Sequence, residues 1–189
     1  MHDPQPRRDD PTRVESARDD QARIDQALRR HLERADPATG LANRLVLVEV
    51  LRSLAEPPVP AELVPAIVLA ASEFARPNAF ARHEDRAAVL REIGGFVADS
   101  LPEGAIAASI TDGVVVILVP GGTAARVSAA AARLRALWLR RAWAPRSVGR
   151  PTISVQVRPI PVRASEGGWL DRLVEASLDL DSLRADRAA

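Results

Sequence analysis

The sequence predicts an α/β protein, more narrowly an α+β sandwich in which helices cover a mixed central sheet. The stretch Ala105–Gly121 contains two apolar runs around an Asp-Gly turn, which is a strong short-range signal for a β-hairpin. A second continuous apolar run, Val64–Ala71, is typical of a buried central strand, and helical periodicities lie between these segments. Because both arms of the hairpin are nearly all apolar, we place them in the middle of the sheet, covered on both faces.

The composition excludes several classes of function. The chain has 189 residues, of which 47% are hydrophobic, so one domain with a packed core is expected. It contains no cysteine, which excludes disulfides, thiol nucleophiles and cysteine-ligated metals. Since no apolar run reaches the roughly 18 residues of a membrane span, we expect a cytoplasmic protein that contacts no membrane. The three histidines are far apart, so we expect neither a metal site nor a cofactor.

The chain divides into three segments. Residues 1–13 mix proline with charges of both signs, which predicts a disordered lead-in. Residues 14–35 lack glycine and proline and read as an N-terminal helix with a narrow apolar stripe: Ile24, Leu28, Leu32 and Ala35. This stripe is too thin for a lone helix in water. It fits a short coiled coil that dimerises the chain or binds a protein partner, with a lid on the domain as the alternative. Residues 36–189 form the folded domain.

The elements of the domain follow in order. We expect a helix ending at Leu54, a proline-rich linker over 56–60, the strand Val64–Ala71, an irregular or briefly helical segment over 73–82, a helix over Glu84–Leu101, the hairpin, a helix over Thr123–Ala142, a strand over Thr152–Ile160 and a closing helix over Trp169–Leu183. In the strand over 152–160, Ile153, Val155 and Val157 alternate with polar residues and should share one face. Gly94 and Gly95 each weaken their helix by about 1 kcal/mol.

Several of these segments resemble the GGDEF domain of diguanylate cyclases. Residues 36–44, Asp-Pro-Ala-Thr-Gly-Leu-Ala-Asn-Arg, are similar to the family's opening D-x-L-T-G-L-x-N-R, with Ala38 in place of the first leucine. Residues 74–93 are similar to F-K-x-I-N-D-x-Y-G-H-x-x-G-D-x-x-L-x-x-(I/V), and residues 152–157 resemble the family's T-V-S-I-G-V strand. The resemblance covers about residues 36–185 and implies a GGDEF or nucleotidyl-cyclase-like fold.

The resemblance also implies a chemistry that this chain lacks the residues to perform. The family condenses two GTP molecules into cyclic di-GMP with two metal ions, which need hard oxygen ligands. On the register of the resemblance, Ala70 stands at the strand aspartate and Ser72 at the second acidic position. The Gly-Gly-Asp-Glu-Phe signature becomes Thr111, Asp112, Gly113, Val114 and Val115, so that Gly113 stands at the metal carboxylate. We therefore expect no catalytic residues, no metal ligands and no enzymatic activity.

A shift of the register by one residue does not restore the site. Such a shift would bring Asp112 or Glu73 near the missing positions. However, the side chains of a strand alternate between its faces, so a one-residue slip moves each side chain to the other face. Asp112 is better interpreted as a turn residue.

The nucleotide-binding positions of the family are also incomplete. Asn78 matches the family's asparagine, but its aspartate neighbour is Ala79 and the later aspartate of the G-D pair is Ala87. The family's R-x-x-D product site would fall at residues 102–105, which read Pro-Glu-Gly-Ala. Arg184 loosely matches a cationic position near the phosphates, with a solvated helix-end charge as the simpler alternative. Asn78 and Arg184 are thus vestigial candidates for nucleotide binding.

An arginine-rich stretch covers residues 126–163. Between Asp112 and Glu166 there is no carboxylate, although the whole chain has a net charge of only +1. The nine arginines in this interval are Arg126, Arg133, Arg135, Arg140, Arg141, Arg146, Arg150, Arg158 and Arg163. With Trp138 and Trp143 among them, the stretch fits an acidic partner, self-association or nucleic acid. The simplest alternative is a solvated face with inward tryptophans, and we place an acidic partner ahead of nucleic acid.

Three functional hypotheses follow from the sequence. The first is a catalytically inactive GGDEF-like protein that acts as a regulatory or protein-interaction module in bacterial cyclic-di-GMP signalling. The second is a sensor that binds GTP or cyclic di-GMP without turnover. The third, an active diguanylate cyclase, conflicts with the missing carboxylates.

Overall fold

The computed structural model describes residues 35–55, 63–76, 79–143, 145, 148–162, 168 and 172–175. Along these residues lie helix α1 (Arg44–Leu54), strand β1 (Leu63–Ala71), helix α2 (His83–Ser100), strands β2 (Ile106–Thr111) and β3 (Val114–Leu118), helix α3 (Ala124–Arg140) and strand β4 (Ile153–Pro161). A short 3₁₀ helix, Ser72–Ala75, follows β1. The lead-in, the N-terminal helix up to residue 34, the linker over 56–60 and most of the closing helix lie outside the described residues. Among the described helices, none combines the length and apolar composition needed to cross a bilayer.

The four described strands form one sheet in the order β2-β3-β1-β4. All three pairs of neighbours are antiparallel, so the α+β sandwich is confirmed, whereas the mixed pairing expected for its sheet is corrected to antiparallel. The reason is topological. The crossovers through α2 and α3 each join strands of the same direction, but each crossover skips one strand that runs the opposite way. Strand β3 separates β1 from β2, and β1 separates β3 from β4.

The hairpin forms as predicted, but its two strands occupy different positions. Strand β3 lies inside the sheet, whereas β2 is an edge strand of the described sheet and not a central one. Ala42 partly covers this edge, because its carbonyl oxygen accepts a hydrogen bond from the amide of Ser109 at 2.7 Å. Ala42 also forms an isolated parallel bridge with Ala108. An uncovered strand edge invites pairing with another chain, and this contact limits that exposure.

The outer edge of β4 is protected in a different way. The amide of Ala71 donates to the carbonyl oxygen of Gly113, just before β3. Because the backbone groups of every second residue point to the same side, the residues of β1 that pair with Val155, Pro159 and Pro161 also turn their backbone groups toward β3. Their partners on β4 therefore turn theirs outward. At two of these outward positions proline removes the donor, and Arg135 donates to the carbonyl oxygen of Val155 at 2.9 Å. These features reduce the number of backbone groups with which this edge could pair with another strand.

Both faces of the sheet are covered, and alternate residues of β1 enter two separate cores. The residues toward α1 are Ala66, Val68 and Ala70, and those toward α2 and α3 are Ile67, Leu69 and Ala71. On α3 the buried residues agree with the predicted set: Val127, Ala131, Leu134 and Trp138. On β4 the residues expected to share one face differ in burial, because Val155 is buried whereas Val157 is 40% exposed. Arg135 of α3 donates to the carbonyl oxygen of Val155.

Residues 36–44 build the entry to α1. Oδ1 of Asp36 accepts hydrogen bonds from the amide and the hydroxyl of Thr39, at 2.8 and 2.7 Å. The side chain of Asn43 then caps α1 by accepting from the amides of the second and third residues that follow it. The motif that resembles the family's opening segment therefore has a local structural role as a turn and a helix cap.

The two glycines in the middle of α2 have different surroundings. A Cβ atom at Gly94 would lie 1.9 Å from the carbonyl oxygen of Thr39, so this glycine allows the turn before α1 to pack against α2. At Gly95 the nearest atom to such a Cβ is Nη2 of Arg141 at 3.8 Å, an ordinary van der Waals distance. Only Gly94 is therefore required by packing.

We predict opposite effects for alanine at these two positions. Gly94→Ala should lower the free energy of unfolding by about 1–3 kcal/mol, the usual cost of overpacking. Gly95→Ala should raise it by up to about 1 kcal/mol, because it removes the helix penalty of glycine without a clash. Urea denaturation followed by circular dichroism measures both changes. Equal effects of the two substitutions would contradict the role assigned to Gly94.

Candidate functional site

The turn between β2 and β3 lies beside the end of β1. Val114 is the strand partner of Ala70, and the amide of Ala71 donates to the carbonyl oxygen of Gly113 at 2.8 Å. Ser72 follows directly at the start of the 3₁₀ helix. The structure thus brings together Ala70 and Gly113, the two positions at which the resemblance implies metal-binding carboxylates.

None of these positions provides a ligand suited to a hard metal ion. Ala70 and Val114 are fully buried in the core beneath α1, and Gly113 has no side chain. The hydroxyl of Ser72 is buried and donates to Oε2 of Glu73 at 3.3 Å. Within the part of the chain that the structure describes, no three His, Cys, Asp or Glu side chains are grouped closely enough to hold a metal ion. The residues present therefore do not fit the two metal ions that the family implies.

An aromatic ring fills the space next to Gly113. A Cβ atom at this position would lie 2.5 Å from Cγ and Cδ2 of Phe74. The backbone of Gly113 also has a φ of +77°, a left-handed conformation that side chains disfavour. Any side chain here would therefore need both a strained backbone and a displaced ring. Phe74 matches the family motif in sequence, but its contact with the turn is visible only in three dimensions.

Asp112 is bound by an arginine that sequence reasoning missed. Nε and Nη2 of Arg86, in the first turn of α2, donate to Oδ2 of Asp112 at 2.8 and 2.5 Å. The guanidinium lies 5.0 Å from the ring centroid of Phe74, whose ring is 4.8 Å from that of Phe80. The two charged side chains are 37% and 45% exposed, so their ion pair contributes at most about 1 kcal/mol. The one sequence signal for this pair is that Arg86 stands at the glycine of the family's G-D pair.

Glu73 is engaged on the opposite side of β1. Its carboxylate oxygens accept from the amide of Thr152 at 3.0 and 3.1 Å, and the amide of Ser72 donates to the carbonyl oxygen of Thr152 at 3.0 Å. These bonds tie the end of β1 to the start of β4, whereas Asp112 lies on the β3 side. The two carboxylates that could have replaced the missing ligands therefore have separate partners and do not converge.

The predicted nucleotide-binding residues cannot be placed in this site. Asn78 and Arg184 lie outside the described residues. Ala79 is exposed and Ala87 is half-buried, and neither offers a polar side chain at the position where the family has an aspartate.

The position of the family's product site is a connecting turn. Residues 102–105 link α2 to β2, and the amide of Ala105 donates to the carbonyl oxygen of Pro102 at 3.0 Å. Gly104 has a φ of +73°, which suits glycine in a tight turn. The segment contains neither the arginine nor the aspartate of the family motif.

The two tryptophans of the arginine-rich stretch point inward. Trp138 is 3% exposed, and its Nε1 donates to the carbonyl oxygen of Pro151 at 3.3 Å. Trp143 packs against it with ring centroids 5.8 Å apart, and its Nε1 donates to the carbonyl oxygen of Val148 at 2.7 Å. Stacking on nucleic-acid bases requires exposed rings, so these tryptophans hold the segment after α3 in place instead.

The fold of this chain is similar to that of several solved proteins, although no protein-family model and no curated protein matches it. The GGDEF domain of FimX from Pseudomonas aeruginosa is 19% identical, with a TM-score of 0.64 over 80% of this chain and 94% of that chain. The diguanylate cyclase SiaD from the same organism, solved in complex with its activator SiaC, is 22% identical, with a TM-score of 0.64 over 92% of this chain and 68% of that chain. The coiled coil and GGDEF domain of DgcB from Caulobacter crescentus, solved in complex with c-di-GMP, is 22% identical, with a TM-score of 0.59 over 87% of this chain and 92% of that chain.

These similarities lie below 25% identity and concern the fold. The activities, ligands and partners named for the three structures belong to those proteins. The similarities show that the chain has a fold similar to that of GGDEF domains.

Proposed function

We propose that this chain is a catalytically inactive GGDEF-like domain that works in the cytoplasm as a regulatory or protein-interaction module of cyclic-di-GMP signalling. The observation that carries this proposal is the contact of Phe74 with Gly113, because the ring fills the space from which a metal-binding carboxylate would extend. Ala70 and Val114, buried on the adjacent strands, offer no replacement. The signalling context is supported by the fold, and SiaD bound to its activator SiaC is an example of such a fold in a protein complex.

The chemistry of the family makes the missing carboxylates decisive. Condensing two GTP molecules requires metal ions that offset the triphosphate charge and activate the attacking hydroxyl. Loss of a residue that only orients a metal ligand already costs about 10–100-fold in metal affinity or activity. Here Ala70 and Gly113 lack the ligand itself, and the nearby Glu73 and Asp112 are each engaged by another residue. We therefore infer that this chain does not convert GTP.

The first prediction from the proposed function concerns the turnover of GTP. The full-length protein, incubated with GTP and Mg²⁺, should form no cyclic di-GMP when the reaction is resolved by chromatography. An active GGDEF cyclase in the same buffer serves as the positive control. Formation of cyclic di-GMP in proportion to the concentration of this protein would refute the inactivity.

Calorimetry with the same protein separates the interaction module from the sensor. GTP, GDP and cyclic di-GMP are titrated with and without Mg²⁺. The interaction module predicts no binding at micromolar concentrations of nucleotide. Micromolar binding without turnover would replace it by the sensor hypothesis.

A second prediction tests the contact that carries the proposal. Gly113→Ala should destabilise the protein more than Gly121→Ala does. Both glycines have a positive φ, +77° and +66°, but a Cβ atom at Gly121 would have no neighbour within 4 Å. The left-handed backbone costs about 1–2 kcal/mol in both variants, and the clash with Phe74 adds about 1–3 kcal/mol in the first.

A double-mutant cycle isolates the clash. In the Phe74→Gly background, which removes the ring together with the Cβ atom that would lie 2.7 Å from the new methyl group, Gly113→Ala should lower the free energy of unfolding only by about the amount measured for Gly121→Ala. Urea denaturation of the four proteins of the cycle measures the coupling. Additive effects of the two substitutions would mean that the ring of Phe74 does not fill this position.

We further propose that residues 14–35 connect the domain to a second copy or to a protein partner through their apolar stripe. If the stripe forms a dimer seam, Leu28→Glu should convert a dimer into a monomer, because it buries a charge in the seam. Gln26→Glu adds the same charge on the opposite side of the predicted helix and should leave the dimer intact. Sedimentation equilibrium measures the mass of each protein. A monomeric full-length chain at about 100 μM would contradict the dimer.

A further inference from the structure

Seven of the nine arginines of the stretch 126–163 lie among the described residues, and the structure divides these seven into two groups. Four have partners that explain them: Arg135 donates to Val155, Arg141 to Asp99, Arg150 to the carbonyl oxygens of Leu139 and Arg141, and Arg158 to Gln156. Arg146 and Arg163 lie outside the described residues. The remaining three form no ion pair with a described residue and are exposed: Arg126, Arg133 and Arg140.

These three arginines, named here the α3 stripe, lie along one side of α3. They are spaced by seven residues, or about two helical turns, so they succeed each other at about 10 Å along the helix axis. Helix α3 contains no carboxylate to neutralise them. Beside the stripe the exposed side chains of the helix are apolar and mostly small: Ala129, Ala132, Ala136 and Leu139. Leu139 is 68% exposed, the highest value among the described large apolar residues.

A groove adjoins the N-terminal half of the α3 stripe. Its volume is about 310 Å³, and it lies between the end of α2 and α3. Arg126 and Arg133 line one wall, and Pro102 and Glu103 line the other. Glu103 is the one carboxylate on this lining, and it forms no ion pair with either arginine among the described contacts. The stripe therefore borders a concave surface and is not merely spread over a convex one.

We propose that the outer face of α3, with this groove, binds an acidic α-helix of a partner protein. The inference rests on the proposed function as an interaction module and names the surface and the chemistry of the partner. Carboxylates that recur every seven residues on a partner helix match the spacing of Arg126, Arg133 and Arg140. The alanines beside the stripe let another helix approach closely, and Leu139 offers it an apolar contact.

A helix fits this face better than nucleic acid does. Surfaces that bind single-stranded nucleic acid combine cationic side chains with exposed aromatic rings on which bases stack. Here Trp138 is buried and Trp143 is half-buried against it, so neither of these two rings is fully exposed. The face instead combines charge with small aliphatic side chains, which suits a partner helix with one acidic and one apolar side.

The test uses the full-length protein and a synthetic helical peptide with glutamate at three successive heptad positions and alanine or leucine beside them. A peptide of the same composition with clustered glutamates is the first control, and a single-stranded oligo(dT) of 20 nucleotides is the second. Fluorescence anisotropy at moderate salt measures the three affinities. The heptad peptide should bind about tenfold more tightly than the clustered one, since three exposed ion pairs give a modest total.

Matched variants then locate the site. The triple variant Arg126→Gln, Arg133→Gln, Arg140→Gln should lose about tenfold in affinity for the heptad peptide. The control triple Arg52→Gln, Arg91→Gln, Arg158→Gln removes the same charge from exposed positions elsewhere and should change the affinity less than about twofold. The single variant Arg133→Glu should bind a peptide with arginine at the central heptad position better than it binds the original peptide. This charge swap is informative even if the triple variant fails to fold.

Several outcomes would overturn the proposal. Absence of binding to the heptad peptide, or equal losses in both triple variants, would reduce the stripe to unspecific charge. Tighter binding of the oligonucleotide that depends on the stripe would assign the face to nucleic acid. The assay contains neither GTP nor cyclic di-GMP, so its result is independent of GTP turnover. A chain that converts GTP and still binds the heptad peptide would refute the inactivity and retain this surface.

Discussion

Strand β1 is hydrogen-bonded along both edges and packed on both faces, and the rest of the domain is arranged around this constraint. Its residues pair with β3 on one side and with β4 on the other. Its side chains alternate between the core beneath α1 and the core beneath α2 and α3. A charge in the middle of such a strand would be buried without water, at a cost of several kcal/mol. The run Val64–Ala71 is accordingly apolar throughout, and polar side chains begin only at Ser72.

The same constraint explains the character of the turn beside β1. A carboxylate at the end of a buried strand is expensive unless a metal ion or a cation compensates it. With Ala70 and Val114 at these positions, the core beneath α1 continues to the turn, and the ring of Phe74 fills the space beside Gly113. The carboxylate that remains, Asp112, is compensated by Arg86. The turn is thus an extension of the hydrophobic core.

Arginine supplies all of the positive side-chain charge of this protein and has two separate structural roles. Around the end of α3 it acts as a connector: Arg141 joins α3 to Asp99 and lies 5.7 Å from the ring centroid of Phe96, and Arg150 binds the last carbonyl groups of the helix. Its planar group of donors suits such multiple contacts. On the outer face of α3, Arg126, Arg133 and Arg140 form no ion pair with a described residue. The proposed binding of an acidic helix accounts for their regular spacing.

Local sequence patterns determine much of this domain. Apolar periodicity is a local property, so α1, α2, α3, the central strand and the four buried residues of α3 could be identified within a residue or two. That residues 70 and 113 offer no carboxylate is evident from the sequence itself, whereas the inactivity inferred from it stays a prediction. The positions of Asn78 and Arg184 and the role of residues 14–35 remain predictions.

The arrangement of these elements was a matter of contacts between distant residues. Because both arms of the hairpin are apolar, both were expected in the middle of the sheet. Strand β2 nevertheless lies at the edge of the described sheet, since the side-chain pattern of a strand reports its burial and not the number of neighbouring strands. Arg86 binds Asp112 from 26 residues away. Phe74, which follows β1, contacts Gly113 in the turn between β2 and β3. Such contacts depend on how β1, α2 and the hairpin pack together, so no local pattern of residues encodes them.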